Sequence, residues 1–255
     1  MSSDYAIVVP SLGRPGNMGK MLAMFPKAII TVNESGIEPY KDVVPKKQLV
    51  PHPDLKLIET RNWIFDNIDA DCIIQFNDDI DKLVAVGVRS KTFRNPKIIG
   101  GVVQNTYQCA KDLDIGLFGW SLIANNSMLH TTVRPFRAAA PCSAHAFGVR
   151  GAARERRFDP TFRGCGDFDF TLETLRLDRK ILCDVRWHFS CGGMSRGKGG
   201  ETGALKTSER DDAQKAIREK WGKHVGKSAT AQAIKRNTWR SFSVNVQRLN
   251  AMAIK

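Results

Sequence analysis

Two short segments of the chain bring together side chains able to do chemistry. The first is Cys72-Ile-Ile-Gln-Phe-Asn-Asp-Asp-Ile-Asp81, an apolar run that ends in three carboxylates within four residues, Asp78, Asp79 and Asp81. A buried strand that stops in adjacent acids puts carboxylates at the carboxyl edge of a sheet, where α/β proteins bind ligands. Acids this close repel one another unless a cation lies between them. Oxygen donors of this kind suit Mg²⁺ or Mn²⁺, held by one or two carboxylates and completed by substrate phosphates. A solvated acidic turn that caps the next element is the plain alternative. The second segment is Phe158-Asp-Pro-Thr-Phe-Arg-Gly-Cys-Gly-Asp-Phe-Asp-Phe170. Gly164 and Gly166 permit a tight turn that delivers Asp167 to the start of a helix. Asp167 and Asp169, two residues apart, cannot share a helix face. One is therefore free to face a cleft, as a general base for an acceptor hydroxyl, while the other serves as a cap or support. Simple capping of the helix by both is the competing reading.

The elements that must position these groups can be read from periodicity. Tyr5–Pro10 and Ala28–Val32 are short apolar runs closed by turn residues, and so is Cys72–Phe76. Between them Ile58, Trp63, Ile64, Phe65 and Ile68 recur at helical steps. Alternating strands and helices predict an α/β fold with a largely parallel sheet. Further on, Leu117–Ala124 and Ala144–Arg150 read as strands, 89–140 carries no clear pattern, and Asp167–Leu177 is a helix followed by a strand over Ile181–Phe189. A glycine-rich loop spans Ser190–Gly203. A last helix opens at Ser208, with Asp211 in a capping-box position, and closes at Trp221-Gly222.

Composition narrows the class. Of 255 residues, 39 are Lys or Arg and 26 Asp or Glu, a net charge of +13. Residues 196–255 hold 14 basic and 5 acidic side chains, so +9 of that charge lies in the last 60 residues. Such asymmetry predicts a polyanionic partner, nucleic acid before an acidic membrane surface, with a merely solubilising surface as the alternative. Six cysteines form no CxxC pair, which argues against a disulfide framework or zinc ribbon. His188-x-x-Cys191 lacks two further ligands at zinc spacings. No run reaches the roughly 20 apolar residues of a membrane span. The N-terminus lacks the basic start of a signal peptide, so a cytoplasmic location is expected, in the host cytoplasm if the chain is phage-encoded.

Four motifs in order carry a resemblance: the strand with Pro-Ser-x-Gly-Arg-Pro at 7–15, Thr60-Arg61-Asn62, the strand ending in Asn77-Asp78-Asp79, and Phe-Asp-x-x-Phe-x-Gly-x-Gly-Asp-x-Asp-Phe at 158–170. Across residues 5–195 the sequence resembles family-2-like glycosyltransferases of the GT-A fold. That resemblance implies a Rossmann-like, mostly parallel sheet flanked by helices over 1–205, with a basic helical extension over 206–255. It implies a nucleotide-sugar donor, a UDP-sugar, with Mn²⁺ or Mg²⁺. Pro10, Ser11, Arg14, Glu34 and Arg61 would contact the nucleotide, and Asn62 would pin its helix. Asp78 would lie beside the ribose or sugar, and Asp79 and His188 would hold the metal. Asn77 stands where the family's DxD motif has its first acid, so Asp81 offers an alternative register. Gly166 replaces the first residue of the Glu-Asp motif, leaving Asp167 as the base for an inverting displacement. Arg196 and Lys198, in the glycine-rich loop, would neutralise the diphosphate leaving group.

Among such enzymes the chain looks like the phage TET-associated glycosyltransferases, which act on hydroxymethylated pyrimidines in DNA. The resemblance makes hydroxymethylated DNA the expected acceptor, 5-hydroxymethylcytosine first. Arg150, Arg154, Arg156 and Arg157, with Lys220, Lys223, Lys235, Arg236, Trp239 and Arg240, would meet phosphates and bases. A cell-surface polysaccharide acceptor and a non-catalytic DNA-binding protein on a transferase scaffold are the other readings.

Overall fold

The computed structural model describes residues 4–87, 91–122, 135–137, 144–192, 207–222, 225–227 and 242–244. An eight-stranded sheet runs in the order β3-β2-β1-β4-β9-β7-β10-β8. Its strands are β1 (Tyr5–Ser11), β2 (Ile29–Asn33), β3 (Leu49–His52), β4 (Cys72–Phe76), β7 (Leu117–Trp120), β8 (Phe136–Arg137), β9 (Ala146–Arg150) and β10 (Leu182–Asp184). Strands β3, β2, β1 and β4 are parallel, β9 is antiparallel to both its neighbours, and β7 and β10 are parallel to each other. A smaller sheet contains β11 (Trp187–Cys191), β5 (Ile80–Ala85) and β6 (Lys91–Phe93) in that order, all antiparallel.

Both faces of the large sheet are buried, which is why its strands read as continuous apolar runs. Successive residues point to opposite faces: Val8 and Ile73 join one core cluster, Val9 and Ile74 the other. The first cluster lies under α3 (Leu57–Asn67) and α5 (Gly166–Asp178); the second lies under α1 (Met18–Met24) and α4 (Pro96–Asp112). A short helix α2 (Glu38–Lys41) supplies Tyr40 to the second cluster. A last helix, α6 (Thr207–Trp221), sends Ala213, Ile217 and Trp221 into the first.

The strand order reverses direction at β1 and β4, and this creates the crevice that the site needs. The β1–β4 ladder ends at Val8 paired with Gln75. Pro10, two residues later, has no N–H to extend it, so the two strand ends separate. β4 then leaves the large sheet through Asn77–Asp79 and enters β5 of the small one, and the acids sit in this crossing.

Four expectations are corrected. The single strand over Ile181–Phe189 is two, β10 and β11, in different sheets. The break falls at Asp184, whose carboxylate accepts from the Arg186 backbone N–H at 3.1 Å and from its Nε at 2.9 Å, turning the chain. The unpatterned stretch 89–140 contains the 17-residue helix α4. Ala124, expected at the end of a strand, lies outside the described residues, and β7 ends at Trp120. Among the described residues the C-terminal extension is helical only over α6; β12 (Val225–Lys227) and β13 (Phe242–Val244) then pair antiparallel.

Candidate active site

Four expected site residues meet at the carboxyl ends of β1 and β4. Ser11 Oγ donates to Asp78 Oδ2 at 2.7 Å, which fixes the direction of its neighbours' bonds. The Tyr40 hydroxyl must then donate to Ser11 Oγ at 2.8 Å, and it accepts from the Arg14 backbone N–H at 2.8 Å. The chain of donors runs one way into the Asp78 carboxylate, and such chains strengthen each bond by polarisation. Arg14 closes the ring with Nη1 2.9 Å from Asp78 Oδ1 and 3.7 Å from Asp79 Oδ2. Burial lifts Asp78 above its ordinary pKa, while Ser11 and Arg14 pull it back. Pro10 is buried behind Ser11, and Glu34 is exposed where the chain leaves the carboxyl end of the neighbouring β2.

Asp79 Oδ1 is buried with no hydrogen-bond partner. An orphan carboxylate oxygen is costly unless something completes it, and a divalent cation does so. Among the described residues no three His, Cys, Asp or Glu side chains form a metal cage. The donor set therefore suits an ion held by few protein ligands and completed by phosphate oxygens and water. Asp81, the alternative register, is paired with cations of the protein. Its carboxylate faces Arg94 Nη2 at 2.9 Å and Lys20 Nζ at 3.4 Å, and although burial opposes them these cations leave its pKa lowered.

His188 lies on β11 with Nδ1 2.8 Å from the Ser121 carbonyl, an outer partner that fixes the ring's orientation. Its ring centroid is 5.6 Å from that of His145. His145 was not identified from sequence. Burial, with His188 beside it, pushes its pKa down to about 4 against the pull of Asp79, so it is neutral at pH 7. It enters the site because β9 runs antiparallel to β4, with the His145 carbonyl accepting from Asn77 N at 2.9 Å. No local pattern around residue 145 announces that pairing. Cys191 also reaches the acids: burial first, then Asp79, pushes its thiol well above the usual range.

Asp167 occupies the first turn of α5. Gly164 just before it has φ +80°, a conformation that only glycine adopts without strain. An ideal Cβ on Gly166 would lie 3.1 Å from Ile58 Cδ1, so α5 packs closely on α3 at the position where the Glu-Asp pattern has its glutamate. Burial pushes Asp167 up to about 6 despite the opposing charge of Arg61 and a backbone N–H from Phe168. Asn62, expected to pin its helix, ties α3 to this segment: it donates to the Phe158 carbonyl and accepts from the Phe158 N–H, both at 2.8 Å.

Arg61 joins the two halves of the site from beneath. It is only 6% exposed, donates to Asn77 Oδ1 at 3.2 Å and to the Ala144 carbonyl at 2.7 Å, and lies 5.2 and 5.3 Å from the ring centroids of Phe147 and Phe158. The guanidinium expected against a nucleotide is built into the floor instead.

The four arginines expected at the acceptor are also placed elsewhere. Because β9 is antiparallel to β4, Arg150 pairs with Cys72, at the end of the sheet opposite the acids. Arg150 contacts Asp114 at 3.3 Å. Arg154 closes the carboxyl end of α3, donating to the Phe65 and Ile68 carbonyls at 3.1 Å and to that of Ala70. Arg156 forks onto Asp178 and Arg157 pairs with Asp66. All four work within the fold. Lys220 is engaged with Asp169 at 2.8 Å. Arg196, Lys198, Lys223, Lys235, Arg236, Trp239 and Arg240 lie outside the described residues.

No family model matches the chain, and no curated protein matches it. Among solved structures, S. aureus TarS residues 1–349 in complex with UDP-GlcNAc superposes with a TM-score of 0.53 at 8% identity, covering 91% of this chain and 69% of that one. In a further TarS 1–349 structure the chain spans only 59% of the neighbour's length. Glucosyl-3-phosphoglycerate synthase from Mycobacterium tuberculosis, in complex with Mg²⁺ and UDP, gives a TM-score of 0.48 at 9% identity over 94% of this chain and 86% of that one. The TarS likeness at 0.53 bears out the expected GT-A, Rossmann-like architecture. Among the described residues no helix is long and apolar enough to cross a membrane.

Proposed function

We propose that the chain is a glycosyltransferase that moves a sugar from a UDP-sugar to a hydroxyl acceptor. One observation carries this reading: Asp78 and Asp79, held by Ser11 and Arg14 at the sheet's switch point, directly follow Asn77, whose amide oxygen accepts from the same Arg61 that acts electrostatically on Asp167, a carboxylate raised to about 6. Ser11 and Arg14 orient Asp78 toward the donor's ribose or sugar. Arg14, between the two acids, also balances charge where a diphosphate would lie. Asp79, with His188, would hold Mn²⁺ or Mg²⁺, which supplies Lewis-acid stabilisation of the leaving diphosphate when bound. Asp167 takes the proton as the acceptor oxygen bonds to the anomeric carbon and the bond to the diphosphate breaks. A single displacement inverts the anomeric configuration.

For the acceptor we propose the hydroxymethyl group of a 5-hydroxymethylpyrimidine in DNA, 5-hydroxymethylcytosine first, modified in the cytoplasm. The support is the +9 charge of residues 196–255, after the acids and largely separate from the arginines paired within the fold. The test incubates the protein with Mn²⁺ and UDP-glucose or UDP-GlcNAc, and offers duplexes carrying 5-hydroxymethylcytosine, 5-hydroxymethyluracil or unmodified bases. Sugar added only to hydroxymethylated DNA, read by mass, is the expected result. Duplex binding that weakens linearly in log–log form with salt accompanies it. Transfer to a polysaccharide and not to DNA overturns the acceptor. DNA binding without transfer from any nucleotide sugar to any acceptor overturns the enzyme.

A further inference from the structure

We infer that helix α6 is a positioning element of the transfer site, with Trp221 and Lys220 holding the first turn of α5 so that Asp167 keeps its place. The inference rests on the transferase reading for its consequence, and on geometry for its substance. Asp169 lies in the same helical turn as Asp167, and its side chain is 4% exposed. A buried carboxylate needs donors, and both of the strong ones come from α6. Trp221 Nε1 donates to Asp169 Oδ1 at 2.8 Å, and Lys220 Nζ approaches the same oxygen at 2.8 Å. Lys220 also lies over the Phe162 ring at 5.0 Å. Toward the other end of the helix, Glu209 pairs with Arg163 at 3.3 Å. The turn 160–166 that delivers Asp167 is therefore held on both sides by one helix, which is itself anchored in the core through Ala213, Ile217 and Trp221.

Residues of one helical turn move together. A shift of Asp169 carries Asp167 with it, and a displacement on the order of 1 Å at a reacting group costs about 10²-fold in rate. Loss of the clamp has a second consequence. Burial keeps Asp167 above the ordinary carboxylate range, so a loosened, wetter first turn brings it down.

The test uses the full chain and Trp221→Phe, which keeps the ring and removes the donor without changing charge. A second variant, Lys220→Met, covers misfolding of the first, because the Lys220 side chain is 39% exposed and Met retains its stem; Lys220→Arg should restore function. Two readouts are taken. One is kcat and donor KM for UDP-glucose with a 5-hydroxymethylcytosine duplex. The other is the ¹³C titration of the Asp167 carboxyl, assigned with Asp167→Asn, which needs no turnover. The expected result for Trp221→Phe is a kcat about tenfold lower, a donor KM within twofold of the native value, and an Asp167 titration moved from about 6 toward the ordinary value. An unmoved titration, or a raised KM with kcat kept, overturns the clamp. If the native chain transfers no sugar, the transferase reading fails and the titration alone decides the clamp.

Discussion

Asp167→Asn should remove transfer and make the protein more stable, and the size of the gain follows from where the carboxyl sits. Its pKa of about 6 stands above the ordinary value of 3.8 because burial disfavours the charged form more than Arg61 and the helix N–H groups favour it. The native state thus binds the proton more tightly than the unfolded chain, and stability falls as pH rises from about 4 through about 6. The penalty is complete at pH 8, where a gap of about two units corresponds to about 3 kcal/mol. At pH 4.5 the native carboxyl is almost fully protonated while the unfolded one is still mostly ionised, and about 1 kcal/mol of the penalty remains. An isosteric amide never ionises and escapes the penalty. Thermal unfolding at pH 8 should place the variant roughly 6–12 °C above the native protein, narrowing to a few degrees at pH 4.5. In the native protein kcat/KM should rise with pH through about 6, as the base ionises. A variant less stable than the native chain at pH 8, or one that retains more than about a hundredth of kcat, would refute the assignment.

Three further outcomes are expected. Asp79→Asn removes the carboxylate whose Oδ1 is orphaned; calorimetry should show that Mn²⁺ strengthens UDP binding to the native chain and not to the variant. Arg61→Lys cannot reproduce a planar fork between two rings and two acceptors; the loss should be about 2 kcal/mol in urea unfolding, with an unchanged m-value. Gly148→Ala would set a Cβ 2.1 Å from Cζ of the fully buried Phe118; about 3 kcal/mol or more of destabilisation, read in guanidinium, is expected.

The cluster of Ser11, Arg14, Asp78 and Asp79 was legible because its residues end or closely follow strands: Ser11 ends β1 and Arg14 lies three residues on, while Asp78 and Asp79 follow β4. What lay far apart in sequence was not. His145 reaches the acids only through an antiparallel register, and the same register carries Arg150 to the far end of the sheet. Nearness in sequence to the 158–170 turn therefore misdirected the arginines. Helix α4 escaped because Gly100 and Gly101 lower the helix propensity of its sequence without breaking the helix, although Asn95 caps it through Lys97 N at 2.9 Å and Pro96 opens it. Ile99, Val102, Val103, Thr106, Tyr107 and Ala110 do keep its buried face in helical step. Asp169 was readable as a support, but its partner at 221 was not, since nothing local links them.

The two bonds from α6 to Asp169 also bear on where such a chain can be cut and rejoined. A boundary at residue 205 looks like the natural joint at which one tail is exchanged for another. A cut there would strip the donors from a buried acid and open one core cluster along Ala213, Ile217 and Trp221. A graft placed at 205 must therefore bring its own tryptophan and cation, because helix α6 is built into the core of the sheet domain.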